Sequence, residues 1–174
     1  MDLKSEILRE HSKRQMSRIA RWVGSDKRRF RQLMELFLHG EYRATQRSAW
    51  IISLCADSYP QLIGPWLKAM FDKMEERGVH IAVKRNVVRI LAGIEIPQAL
   101  LGRVVSRCFS CLSDDREAIA VRVHAMTVIL NASRKAPPLE RELRGAIEQM
   151  SLNAGPAIRA RSRNVLKRLD KGKR

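Results

Sequence analysis

Ala44–Thr45–Gln46–Arg47–Ser48–Ala49–Trp50–Ile51–Ile52 is a pattern to which the chain returns three more times. Ala44 recurs as Ala82, Ala120 and Ala157, at steps of 38, 38 and 37 residues. Ile52 recurs in step as Ile90, Val128 and Val165, and Ala49 as Val87, Ala125 and Ser162. Each alanine is followed within three positions by a basic residue: Arg47, Lys84 with Arg85, Arg122, and Arg159. A second series keeps the same period. Ile63, Leu67, Phe71 and Met74 match Leu101, Val105, Phe109 and Leu112, which match Leu139, Leu143, Ile147 and Met150. Within each set the spacing is that of one helical face. A fixed period built from two helical patterns predicts an all-α array of stacked helix pairs, an α-solenoid.

Outward from this core of repeats, the spacing predicts about nine helices. Leu3 to Val23 reads as one charged helix with Ile7, Leu8, Ile19, Ala20 and Val23 on its apolar side. Gly24–Ser25–Asp26 breaks it, with Ser25 or Asp26 placed to cap the next helix. Phe30, Leu33, Met34, Phe37 and Leu38 then form a stripe ending at His39–Gly40. Residues 1–40 thus form an atypical first pair, as expected where one side of an array faces water. Three clear units fill 41–155. Their helices are expected at 41–56 and 61–76, then 79–92 and 98–112, then 117–131 and 139–150. Pro60, Pro97 and Pro138 all fall before or just inside the second helix, where a missing N–H does no harm. A last helix and basic tail occupy 156–174, and no linker divides the chain into separate domains.

From about Tyr42 to Leu169 the chain resembles a HEAT or armadillo-type α-solenoid. The alanine-plus-basic helix starts and the proline-marked turns carry the resemblance. It implies a helical superhelix, and for function it implies one of several classes: protein scaffold, transport factor, or a DNA-binding repair protein. In the repair branch, the bacterial alkylpurine DNA glycosylases, the family pattern places tryptophans and a catalytic aspartate on the DNA-facing side. The nearest material here is Trp50 with Asp57 and Trp66 with Asp72, and neither pair reproduces the adjacent motif.

Charge narrows the choice of partner. Thirty-four Lys and Arg against 18 Asp and Glu give a net of +16. Residues 1–31 contribute +6 and residues 156–174 contribute +7, while the 124 residues between them contribute only +3. Polyanions are the natural partners of basic ends. The candidate nucleic-acid-binding residues fall in three groups. Lys27, Arg28, Arg29 and Arg31 open one helix, where free backbone N–H groups would join them on a phosphate. Arg159, Arg163 and Lys167 share a face of the last helix, with Arg161 and Arg168 beside them. Arg47, Arg85, Arg122 and Arg159 form a ladder one repeat apart, which can equally serve to bond neighbouring repeats. The expected mode is contact to the DNA or RNA backbone with weak sequence preference. The few aromatic residues fall mostly on core stripes, which argues against stacked single-strand recognition. The competing partner is an acidic protein.

Other chemistry finds little support. Cys108–Phe109–Ser110–Cys111 has CxxC spacing, but it lies mid-helix, aligned with Met70 and Ala146, and it has no second pair. The four histidines stand at no metal-ligand spacing. No glycine-rich phosphate loop or catalytic set stands out. The reading is therefore a non-enzymatic module without cofactor. No stretch approaches the roughly 18 apolar residues of a membrane span, and the N-terminal residues form no export signal, so a cytoplasmic site is expected.

Overall fold

The computed structural model describes residues 1–151 and 154–171. Among these are ten α-helices, two 3₁₀ turns and no strand. The helices are α1 (Leu3–Arg9), α2 (Lys13–Val23), α3 (Lys27–His39), α4 (Tyr42–Ser58), α5 (Leu67–Met74), α6 (Ile81–Leu91), α7 (Gln98–Ser113), α8 (Ile119–Ser133), α9 (Pro138–Ser151) and α10 (Pro156–Lys171). The 3₁₀ turns, Pro60–Leu62 and Gly64–Trp66, precede α5. Of the expected basic tail, residues 172–174 lie outside the described residues.

Two of the expected helices differ. The single helix expected over 3–23 is two. Arg47 Nη1 on α4 donates to the carbonyls of Ile7 (2.9 Å) and Leu8 (2.8 Å), the acceptors that a continuous helix would give to residues 11 and 12. Ser12 Oγ meanwhile accepts the Gln15 N–H at 3.1 Å and starts α2 afresh. The buried Gln15 then closes the corner by donating to the Glu6 carbonyl and carboxylate, both at 2.8 Å. The helix expected over 61–76 begins instead as two 3₁₀ turns. Pro60 and Pro65 supply no N–H, and the turn is carried by short bonds such as Leu62 N–H to Tyr59 O (3.0 Å) and Trp66 N–H to Ile63 O (2.9 Å).

Backbone contacts divide the chain into two compact units, Met1–Ile90 and Leu91–Arg174. In the first, α4 packs against α1, α2 and α3. It is accordingly buried on most sides, at Ala44, Thr45, Ser48, Ala49, Ile51, Ile52, Ser53 and Cys55. That enclosure pushes the Cys55 thiol up to about 12, since burial disfavours the thiolate. In the second unit α8 takes the same place, packed by α7, α9 and α10. Val121, Ala125, Met126, Val128, Ile129 and Leu130 are all buried on it. A helix apolar on nearly every side is one that its neighbours enclose.

The repeat register holds where it matters. Ala49, Val87, Ala125 and Ser162 are buried, as are Ile52, Ile90, Val128 and Val165. The alanine series does not mark equivalent positions: Ala44 and Ala82 are buried, Ala120 is half-buried and Ala157 is exposed. The buried stripe begins one residue later, at Thr45, Val83, Val121 and Ile158, in the same steps. Cys108 and Cys111 lie buried on the stripe of α7 with Leu100 and Val104, while Ala146, aligned with Cys108, is only half-buried.

Gly24 ends α2 at φ +52° and ψ −138°, a conformation essentially reserved for glycine. Gly145 sits exposed within α9, with open space where a Cβ would go. Gly24→Ala is expected to lower stability by about 1–3 kcal/mol, and Gly145→Ala to raise it by roughly 0.5–1 kcal/mol. Urea unfolding checks both signs; a stabilised Gly24→Ala would refute the turn geometry.

Candidate nucleic-acid interface

The last helix gathers the most cations. Its buried side, Ile158, Ser162, Val165 and Leu169, packs against α8 and α9. The opposite side exposes Arg159, Arg163, Lys167, Arg168 and Lys171. Arg163, Lys167 and Lys171 follow one another at four-residue steps and so line the outward ridge. Among the described residues none of these three, nor Arg168, has a hydrogen-bond or ion-pair partner. Arg159 is less available, because its Nη1 donates to the Ala154 carbonyl at 2.7 Å. The one acid of α10, Asp170, is held by Arg144 Nη2 at 2.7 Å. Arg144 also pairs with Glu140, and these two carboxylates, Asp170 foremost, keep its guanidinium more firmly protonated than usual.

The basic start of α3 differs from expectation. Lys27, Arg28, Arg29 and Arg31 are all exposed there. The backbone N–H groups meant to join them are taken: Asp26 Oδ1 accepts from Arg28 N–H (2.8 Å) and Arg29 N–H (3.1 Å). The Arg29 bond first, then that of Arg28, holds the Asp26 carboxyl below its usual range. A carboxylate therefore stands where a phosphate would approach the helix end. The Arg29 side chain is also engaged, donating to Trp22 O at 2.6 Å and lying 4.6 Å from the centre of the Trp22 ring. Lys27, Arg28 and Arg31 remain without a side-chain partner among the described residues.

The ladder of repeat arginines does not stand out as a surface. Arg47 closes the end of α1, as described above. Arg122 is buried, with Nη2 donating to Leu112 O and to the Asp115 carboxylate, both at 3.1 Å. Only Arg85 is exposed with no partner among the described residues. Sequence reasoning passed over Arg89. Its Nη2 donates to both oxygens of Asp57 (3.0 and 2.7 Å), and Nη1 donates to Ser53 Oγ at 2.8 Å, tying α6 to α4. Its place five residues beyond Lys84, on the same helix as the chosen cations, gave no separate signal.

The acids of the repair comparison are occupied too. Asp57 is the carboxylate on Arg89, and Asp72 pairs with Lys68 at 2.6 Å. Asp57 lines a cavity of about 300 Å³ with Ser17, Arg21, Cys55 and Tyr59, and neither Trp50 nor Trp66 borders it. Trp50 instead meets the His11 ring, 5.5 Å between centres. Burial there, with Arg47 and His80 nearby, lowers the His11 pKa. Among the described residues no group of three or more His, Cys, Asp or Glu is placed to hold a metal.

A second concavity, of about 520 Å³, opens beside α10 in the second unit. Leu130, Ser133 and Arg134 at the end of α8, Pro137 and Glu140 at the start of α9, and Arg168, Leu169 and Lys171 of α10 line it.

Compared with known families, residues 3–169 match the HEAT repeat domain. The chain belongs to the HEAT repeat family. No curated protein and no solved structure matches it. As a HEAT repeat domain it is a repeat-based interaction module, built of helices none of which, among the described residues, is long and apolar enough to cross a membrane. In this HEAT repeat domain Arg47, Arg122 and Arg159 bond the protein to itself, and among the described residues the last helix carries four exposed cations without a side-chain partner, Arg163, Lys167, Arg168 and Lys171.

Proposed function

We propose that this HEAT repeat domain binds nucleic acid, DNA or RNA, through the phosphate backbone. The observation that supports this best is the outward ridge of α10. Arg163, Lys167 and Lys171 stand exposed at helical spacing, and the sole acid of that helix is already bonded elsewhere. A structural role for such side chains would show as hydrogen bonds or ion pairs. Arg47, Arg89 and Arg122 have these, and among the described residues the ridge side chains do not. Held on a rigid helix, the three ammonium and guanidinium groups can each replace a condensed counterion on a polyanion. Lys27, Arg28 and Arg31 offer a further set of exposed cations, acting by side chain alone because Asp26 occupies the backbone donors.

The ridge is a row of cations suited to phosphates, and of its neighbours Ala160 and Asn164 only the Asn164 amide is able to read a base edge. Little sequence preference is therefore expected. The test is a mobility shift with labelled duplex DNA and duplex RNA of several sequences at low salt. Comparable shifts across sequences support the reading. No shift, with capture of an acidic polypeptide instead, overturns it in favour of an acidic protein partner.

A further inference from the structure

The groove between the ends of α8 and α10 and the start of α9 differs in kind from the ridge, with which it shares Lys171. The apolar part of its lining is Leu130 and Leu169, both nearly inaccessible, and the exposed Pro137. Its rim is cationic: Arg134, Arg168 and Lys171 are exposed and, among the described residues, their side chains have no hydrogen-bond or ion-pair partner. Glu140, the one acid in the lining, is ion-paired to Arg144 at 3.3 Å. Three cations from helices 34 residues apart in sequence thus converge on one concavity.

Helix polarity explains only part of that charge. Arg134 caps α8 and Lys171 ends α10. Each helix C-terminus carries the equivalent of about half a negative charge. Two such ends offset roughly one of the three cations and the start of α9 returns about half a charge, while Glu140 and Asp170 share the single cation Arg144 and so leave one negative charge between them, a balance of roughly +1.5 at the rim. An internal phosphodiester carries one negative charge, whereas a phosphate monoester carries about −1.5 to −2 near neutral pH. The volume lies within the roughly 300–1,000 Å³ of small-molecule sites, far too small for a duplex and suited to a nucleotide. The apolar part of the lining suits the face of a base or sugar.

We propose that this groove seats the phosphorylated end of a nucleic-acid strand, its terminal phosphate monoester held by Arg134, Arg168 and Lys171 and the adjoining nucleoside resting on Leu130, Pro137 and Leu169. This rests on the nucleic-acid reading above and adds to it a preference for a chemical end that the ridge does not recognise. Arg168 supplies a planar fork able to hold two phosphate oxygens, and Lys171 a point charge beside it.

Calorimetric titration of the full chain tests it, with adenosine 5′-monophosphate, adenosine, inorganic phosphate and a phosphoserine peptide as probes. Adenosine monophosphate is expected to bind at least tenfold more tightly than adenosine and more tightly than inorganic phosphate, which lacks the part that meets the apolar lining. Arg134→Ala with Arg168→Ala should lose that affinity by tenfold or more with an unchanged circular dichroism spectrum. Arg163→Glu with Lys167→Glu, on the ridge, should leave it unchanged while weakening duplex binding. If adenosine monophosphate fails to bind, or binds no better than adenosine while duplex binding persists, the groove assignment is wrong and the backbone reading stands. If the monophosphate binds but duplexes do not, the nucleic-acid reading fails and takes the strand-end assignment with it. Tighter binding of the phosphoserine peptide than of the monophosphate makes the occupant a phosphoprotein and overturns the proposal.

Discussion

Ile52→Ala is expected to destabilise the first unit by about 2–5 kcal/mol, the usual cost of emptying a fully enclosed aliphatic site. Ile52 is wholly inaccessible, on a helix that α1, α2 and α3 surround. Of these elements α1 is tied to α4, and α4 is tied again at its far end. Arg47 holds the last carbonyls of α1, and Arg89 holds Ser53 and Asp57 at the far end of α4. The cavity should therefore stay largely open, which puts the cost toward the upper part of the range. Tyr42→Ala, ten residues earlier on the same helix but 60% exposed, should cost much less, about 0.5–1.5 kcal/mol from its edge-on contact with the His80 ring at 5.6 Å. Urea midpoints at constant slope measure both. A small effect at Ile52 would mean that α4 is not the enclosed helix of its unit.

The second large effect is on binding. Arg163→Glu with Lys167→Glu replaces two exposed cations of α10 by anions, one turn apart on the outward ridge. Losing two phosphate contacts should flatten the salt dependence by about 1.8 in log–log slope. The two carboxylates add repulsion, so affinity for duplex DNA should fall on the order of 100-fold at low salt, equivalent to roughly 1.4 kcal/mol for each tenfold step. Stability should hardly move, because both side chains lie in water. Arg163→Lys with Lys167→Arg keeps the charge and should keep the affinity. Unchanged DNA binding in the glutamate variant would remove α10 from the interface.

Much of the fold was legible because periodicity is a property of the chain. The steps of 37 or 38 residues set the stacked-helix architecture, and the series through Ala49 and Ile52 falls on buried positions in all four occurrences. What sequence could not supply were facts created by packing. The break between α1 and α2 follows from Arg47, some forty residues away, taking the carbonyls of Ile7 and Leu8. The alanines were a misleading marker, since a small side chain is tolerated at an exposed position such as 157 as readily as at a buried one such as 44.

The candidate site divides along the same line. Composition placed the charge at the ends of the chain, and α10 does expose it. Which cations are uncommitted depends on three-dimensional partners. Arg122 and Arg163 look alike in sequence, yet one is buried against Leu112 and Asp115 while the other faces water. Asp26 was recognisable as a cap, but its two N–H bonds also close the phosphate site expected at the start of α3. The groove of Arg134, Arg168 and Lys171 had no local signature at all, because it exists only where α8, α9 and α10 meet.

The most direct test of the central claim is the affinity of the intact chain for a labelled duplex across a salt series. If exposed cations of this HEAT repeat domain contact phosphates, log affinity falls linearly with log salt, with a slope near −0.9 for each contact and hence about −3 for the three ridge cations alone. Measurable binding whose affinity stays flat with salt, or no binding even at low salt, would contradict it.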